Sequence, residues 1–276
     1  MFRFSLAGAL LALLVLAPAA RSQDPEEAWK TLFMQAVYQA GAKQYPKAEE
    51  SLLKALHEAE RFGAADARVG STLNTLGLVY AAENKFSDAE GAYRKALVIL
   101  DKAYGSDSID VANVNFNIAT SMFNQGHQVD AQPFIQRALE GYERLLGGTS
   151  VKTAAVLCML GDSYRLMKNF SAAEGPLRRC ADIRESDGGM QNADLADALY
   201  SLALVYVGEG KYGLAEPRFT LTEKIRENTL GLTSPLLAQT MEDHAALLKS
   251  MGRTEEANKL ITISSAIRRA DKKTGK

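Results

Sequence analysis

Cysteine, histidine and tryptophan are scarce in this chain, with two, three and one among 276 residues. Two cysteines, Cys158 and Cys180, are too few for a disulfide scaffold. With no CxxC and no close histidine pair, they cannot gather the four ligands of a structural zinc site. His57, His127 and His244 stand far apart, and the chain has no HExxH, GxSxG or GxxxxGKS. That removes the common signatures of metal hydrolysis, serine nucleophiles and phosphate-cradling loops. Charge of one sign is missing too: 32 Lys and Arg stand against 33 Asp and Glu, a formal net of −1. A nucleic-acid partner calls for a basic face, and this balance provides none. The residues imply no cofactor and no metal, and no enzyme activity is expected.

Long apolar runs are absent except for one. Arg3 is followed by "SLAGALLALLVLAPAA", which ends in small residues. A positive start, a short apolar stretch and small residues before a cut make a secretory signal, expected over residues 1–22 with cleavage after Ala19 or Ser22. The alternative is an uncleaved anchor, but the run is short of the roughly 20 residues that span a bilayer. The expectation is therefore an exported chain, periplasmic or secreted and of bacterial type, with no membrane contact beyond the signal. Without Arg3 and Arg21 the remaining 30 basic and 33 acidic side chains leave about −3. The basic end "RRADKKTGK" reads as solvated, with residues 270–276 a flexible tail.

What the chain has instead is a period. Ala48, Ala89, Ala131, Ala173, Ala215 and Ala257 recur at spacings of 41 and then 42 residues. Twelve residues before each is a second small residue: Ala36, Gly77, Ala119, Gly161, Ala203 and Ala245. Four residues after each is a bulky one: Leu52, Tyr93, Ile135, Leu177, Phe219 and Ile261. Each unit reads as two helices. Leu73, Leu76 and Tyr80 form the apolar stripe of the first; Ala89, Tyr93 and Ala96 form that of the second. Paired small residues let two helices approach closely. Glycines followed by Ser108, Ser150, Asn192 or Ser234 punctuate the units, and these four are the expected N-caps.

The small–small–bulky framework, with Leu76-Gly77-Leu78-Val79-Tyr80 and Leu160-Gly161-Asp162-Ser163-Tyr164, resembles the tetratricopeptide repeat. The longer period, with "VANVNFNIA", "GKYGLAEP" and "YGSDSIDVA", resembles its kinesin-light-chain variety. The resemblance covers roughly residues 27–269. It implies an all-α, right-handed α-solenoid of about six antiparallel helix pairs, with repeats at about 29–62, 70–103, 112–145, 154–187, 196–229 and 238–269. Gln35 and Gln39 in the first repeat, and His244 and Thr254 in the sixth, replace core-type residues and suit capping roles. Glu242-Asp243-His244, the one dense polar cluster, accordingly reads as part of a capping repeat rather than a general base.

Gly208-x-Gly210-x-x-Gly213 has the spacing of a dinucleotide-binding loop, but such a loop must follow a strand. Here it falls at the turn of the fifth helix pair.

The resemblance also implies a concave groove lined by the first helix of each repeat. Position 5 there reads Phe33, Asn74, Phe116, Cys158, Tyr200 and Glu242. Neighbouring groove positions add Leu78, Asn113, Phe123, Asn124 and Asp162. This strip is rich in aromatics and amides, not a basic clamp for a terminal carboxylate. The expected partner is a protein or peptide segment held by amides on its backbone and rings on its side chains. The alternatives are rings that merely fill space between helices, and a structural protein that self-associates through its terminal repeats. Cys158 and Cys180 fall at positions 5 and 27 of the fourth repeat, on antiparallel helices. Either a bridge or two buried thiols fits.

Overall fold

The computed structural model describes residues 24–274. The expected leader, residues 1–22, lies outside the described residues. Twelve helices follow one another in antiparallel pairs: α1 (Pro25–Gly41) with α2 (Tyr45–Glu60), α3 (Ala67–Ala82) with α4 (Phe86–Tyr104), and α5 (Ile109–Asn124) with α6 (Gln128–Leu146). Then come α7 (Val151–Leu166) with α8 (Phe170–Gly188), α9 (Ala193–Gly208) with α10 (Tyr212–Leu230), and α11 (Pro235–Ser250) with α12 (Thr254–Thr274). From α3 to α10 the first helix of each pair has 16 residues and the second 19. Each of these pairs begins three residues before the repeat expected from the sequence.

Local chemistry sets the boundaries. The side chains of Ser108, Ser150 and Asn192 accept from the amides of Val111, Thr153 and Leu195, so three of the four expected caps form. Ser234 makes no such bond; Pro235 at the first helical position supplies the preset backbone instead. Asp24 and Asp66 cap α1 and α3, which sequence reading missed. The turn inside each pair needs a left-handed residue. Gly126, Gly210 and Gly252 supply it at φ 81°, 71° and 77°, while Lys43, Asn84 and Lys168 occupy the same place at about 60°. The last helix, α12, runs to Thr274, into the stretch expected as a tail, and no glycine or proline interrupts it before Gly275.

The recurring small residues are where helices meet. The six recurring alanines of the second helices are fully buried. A Cβ on Gly77 would stand 2.5 Å from the Tyr93 ring, and one on Gly161 would stand 2.4 Å from Leu177 Cγ. The bulky residue of each second helix therefore lies across the small residue of the first. The Gly208–Gly213 stretch resolves into the same physics. A Cβ on Gly208 would press into the Phe170 ring at 2.5 Å, Gly210 makes the turn, and Gly213 meets nothing within 4 Å. No strand precedes it among the described residues, and no phosphate loop is formed.

Each helix packs on the next, and α1 with α3, α3 with α5, and α7 with α9 also touch. No two second helices come together to the same extent, so the stack curves with its first helices on the inner side.

Candidate functional site

The inner face splits into two halves of different character. In the half built by α3, α5 and α7, a depression of about 300 Å³ is lined by Asn74, Leu78, Asn113, Phe116, Asn117, Tyr142, Lys152 and Ala155. Four residues expected in the groove, Asn74, Leu78, Asn113 and Phe116, are brought together here. Asn117 Nδ2 donates to Asn74 Oδ1 at 2.9 Å, tying α5 to α3. Asn113 Oδ1 accepts from the Tyr142 hydroxyl at 2.9 Å and from Lys152 Nζ at 3.0 Å. Lysine can only donate, so its bond fixes the Asn113 amide with Nδ2 left over, and the Asn74–Asn117 pair leaves one further amide nitrogen and one amide oxygen without a partner in the described chain.

The walls are rigid. Phe116 packs against the Tyr142 ring with centroids 6.2 Å apart, and Tyr142 is itself buried. Burial pushes the Tyr142 phenol up to about 12, so it remains a hydrogen-bond donor at neutral pH. Leu78 is 47% exposed, an apolar ledge beside the amides. Lys152 lies 5.5 Å from the Tyr142 centroid and meets no carboxylate in the described chain, so its charge is uncompensated.

The other half, from α9 to α12, is occupied with itself. The Tyr200 hydroxyl donates to Asp243, which also accepts from Gln239. Arg226 donates to Asp197 at 2.7 Å and to Thr240 at 2.6 Å, and its guanidinium covers the Tyr200 ring at 4.7 Å. Arg268 pairs with Glu242. Burial, then the Asp243 carboxylate, raise the Tyr200 phenol well above its usual range. Tyr200 is thus a brace between α9 and α11 rather than an open ring. His244 stacks on Phe219 at 5.5 Å with Nδ1 2.9 Å from Glu223, a packed core histidine.

The remaining expected groove residues lie elsewhere. Phe33 packs on Trp29 with centroids 5.4 Å apart. Asp162 accepts from Arg165 one turn along α7. Phe123 and Asn124 end α5 outside the depression. Cys158 and Cys180 are joined, with Cα atoms 5.5 Å apart, stitching α7 to α8. Asn117, Tyr142 and Lys152 are site residues that sequence reading missed. One signal was present: Tyr142 stands in the register where the next three repeats carry Arg184, Arg226 and Arg268. Among the described residues, no cluster of His, Cys, Asp or Glu is placed to hold a metal, and no helix is long and apolar enough to cross a membrane.

Comparison with known proteins fits this geometry. Residues 70–144 and 108–186 match the family model described as tetratricopeptide repeat. No curated protein matches the chain. Among solved structures, BtubC (BKLC) from P. vanneervenii is 25% identical over 74% of this chain and 83% of its own, with a TM-score of 0.66. A putative kinesin light chain from Podosopora anserina, with nearly identical TPR-like repeats, is 16% identical over 75% and 97%, with a TM-score of 0.63. A Rap protein complexed with Competence and Sporulation Factor is 17% identical over 90% and 77%, with a TM-score of 0.54. Repeats of this family typically build non-enzymatic protein–protein interaction scaffolds. Residues 70–186 of this chain match the tetratricopeptide-repeat model, and the described residues form an all-α helical-repeat solenoid.

Proposed function

We propose that this protein is an exported scaffold that holds an extended protein segment in the depression between α3, α5 and α7. The observation that carries the reading is the row of unpartnered amide groups on Asn74, Asn113 and Asn117. They offer two donors and one acceptor, the pairing an extended backbone needs. Phe116 and Leu78 receive an apolar side chain, and the uncompensated Lys152 favours a carboxylate on the same segment. Binding of Competence and Sporulation Factor by a Rap protein of similar fold supports peptide capture as a use of such a solenoid. Export rests on the apolar leader in residues 1–22, and a disulfide in the chain suits an oxidising compartment.

The test is a pull-down from the exported fraction with crosslinks mapped, followed by affinity measurements on the captured partner. Phe116→Ala and Lys152→Glu are each expected to weaken binding at least about tenfold while the helical signal stays intact. Tyr200→Ala is expected instead to lower the melting midpoint, because it cuts the Asp243 brace. Unchanged affinity in both groove variants, with folding intact, would sink the groove reading.

One observation favours a second reading, self-association through the first repeat. Tyr38 is 77% exposed, although its counterparts Val79, Ser121, Ser163, Val205 and Leu247 are all buried. Sedimentation over a range of concentrations separates the two. Growth in size that Tyr38→Glu abolishes favours stacking, and a constant monomer eliminates it.

A further inference from the structure

The first repeat exposes a face that every later repeat keeps covered. Val79, Ser121, Ser163, Val205 and Leu247 stand in one register and are each no more than 2% exposed, whereas Tyr38 in the same register is 77% exposed. The cover is the preceding repeat: Leu76 and Val79 of α3 pack into one cluster with Ala48 and Leu52 of α2. Among the described residues no helix precedes α1, and the surface left open is apolar. Leu53 on α2 is 48% exposed and borders a groove of about 530 Å³ between α1 and α2, lined also by Leu32, Lys54 and His57.

The far end of the array is built differently. Where Tyr200, Leu204 and Val207 join the core that reaches α11, the sixth repeat carries Glu242, Ala246 and Lys249. Head-to-tail stacking would set Tyr38 and Leu53 against charged groups, at a desolvation cost. The charges of the first face suit a copy of itself instead. Glu50 and Lys54 lie one turn apart on the same side of Leu53, and both are exposed. An antiparallel α2 related by a twofold axis near Leu53 sets each Glu50 against the other copy's Lys54, so the pair occurs twice.

We infer that this face is a closed dimer interface, joining two copies of the chain through their first repeats about a twofold axis. The axis brings Leu53 near its own counterpart and carries Tyr38, from the opposite end of the face, onto the groove beside Leu32. A face two helices wide, with helices of 17 and 16 residues, offers roughly 500 Å² per copy. That is small for a specific pair, so the dimer is weak and concentration-dependent. The pairing rests on the second reading, self-association through the first repeat, and gives it a symmetry and a limit of two copies. It uses none of the residues lining the depression between α3, α5 and α7, so one assembly presents two partner sites.

The mass of the purified chain in sedimentation is expected to rise with concentration to two copies and stop. Cys158 and Cys180 are the chain's only cysteines and are bridged, so Leu53→Cys supplies a single free thiol. Mild oxidation should link it to its counterpart in the other copy, while Val129→Cys, exposed on α6, stays unlinked. Glu50→Lys and Lys54→Glu each set like charges together twice across the axis and should weaken the dimer at least about tenfold; the double exchange should restore it. Growth beyond two copies would mean head-to-tail stacking, and would overturn the dimer while keeping the second reading. A constant monomer would overturn both. A dimer that Leu53→Cys does not cross-link, or that the double exchange fails to restore, would overturn the twofold arrangement.

Discussion

Gly161→Ala is expected to lower the melting midpoint markedly, although it adds a single methyl group. The new Cβ would lie 2.4 Å from Leu177 Cγ and 3.2 Å from the Ala173 carbonyl oxygen, and Leu177 is fully buried. Neither neighbour has room to give, so α7 and α8 must move apart. Overpacking of this kind costs about 1–3 kcal/mol. At about 2–4 °C per kcal/mol for a chain of this size, the shift is readily seen by circular dichroism. The position magnifies the effect, because a central repeat contributes to two interfaces of a nearest-neighbour stack. Gly213→Ala is the internal control. It adds the same methyl group inside α10 where nothing lies within 4 Å. There the better helix propensity of alanine should hold or raise the midpoint. Equal melting of the two variants would mean that small residues do not set the helix spacing.

Reduction of the Cys158–Cys180 bridge should cost about 3 kcal/mol, the loop-closure term for its separation of 22 residues. The bridge links the two helices of one pair, and Cys180 lies in the core formed with Leu157, Ala196 and Ile225. The expected result is a lower midpoint in reductant and no free thiol in the unreduced, unfolded protein. Alkylation of both cysteines without reductant would contradict the bridge. The groove should survive the treatment, since its residues lie on α3, α5, the start of α7 and Tyr142.

The period was legible because it is written in small residues with a steric duty. Each of Gly77, Gly161, Ala203 and Ala215 marks a helix contact. Part of the inner face was legible through the resemblance: Asn74, Leu78, Asn113 and Phe116 fill positions that it implies line a groove. The other partners depend on how far each repeat rotates over the last, which the period does not fix. Trp29 with Thr72, Asn74 with Asn117, and Tyr200 with Asp243 are each hydrogen-bonded at a separation of 43 residues. In this superhelix, inner-face contacts thus run one residue beyond the period. That offset brings Tyr200 to Asp243 and makes it a brace, whereas the same offset from Phe116 leads to Met159, which offers no carboxylate.

The central claim, that partners bind on the inner face of the second to fourth repeats, is most directly tested by placing a photo-crosslinking residue at Leu78 and, separately, at Val129. Both side chains are exposed, Leu78 beside the depression and Val129 on α6 away from it. Irradiation in the presence of the exported fraction should attach a discrete protein segment at Leu78, and Lys152→Glu should remove it. Attachment of the same partner at Val129 alone, undiminished by Lys152→Glu, would place binding on the outer face and contradict the account.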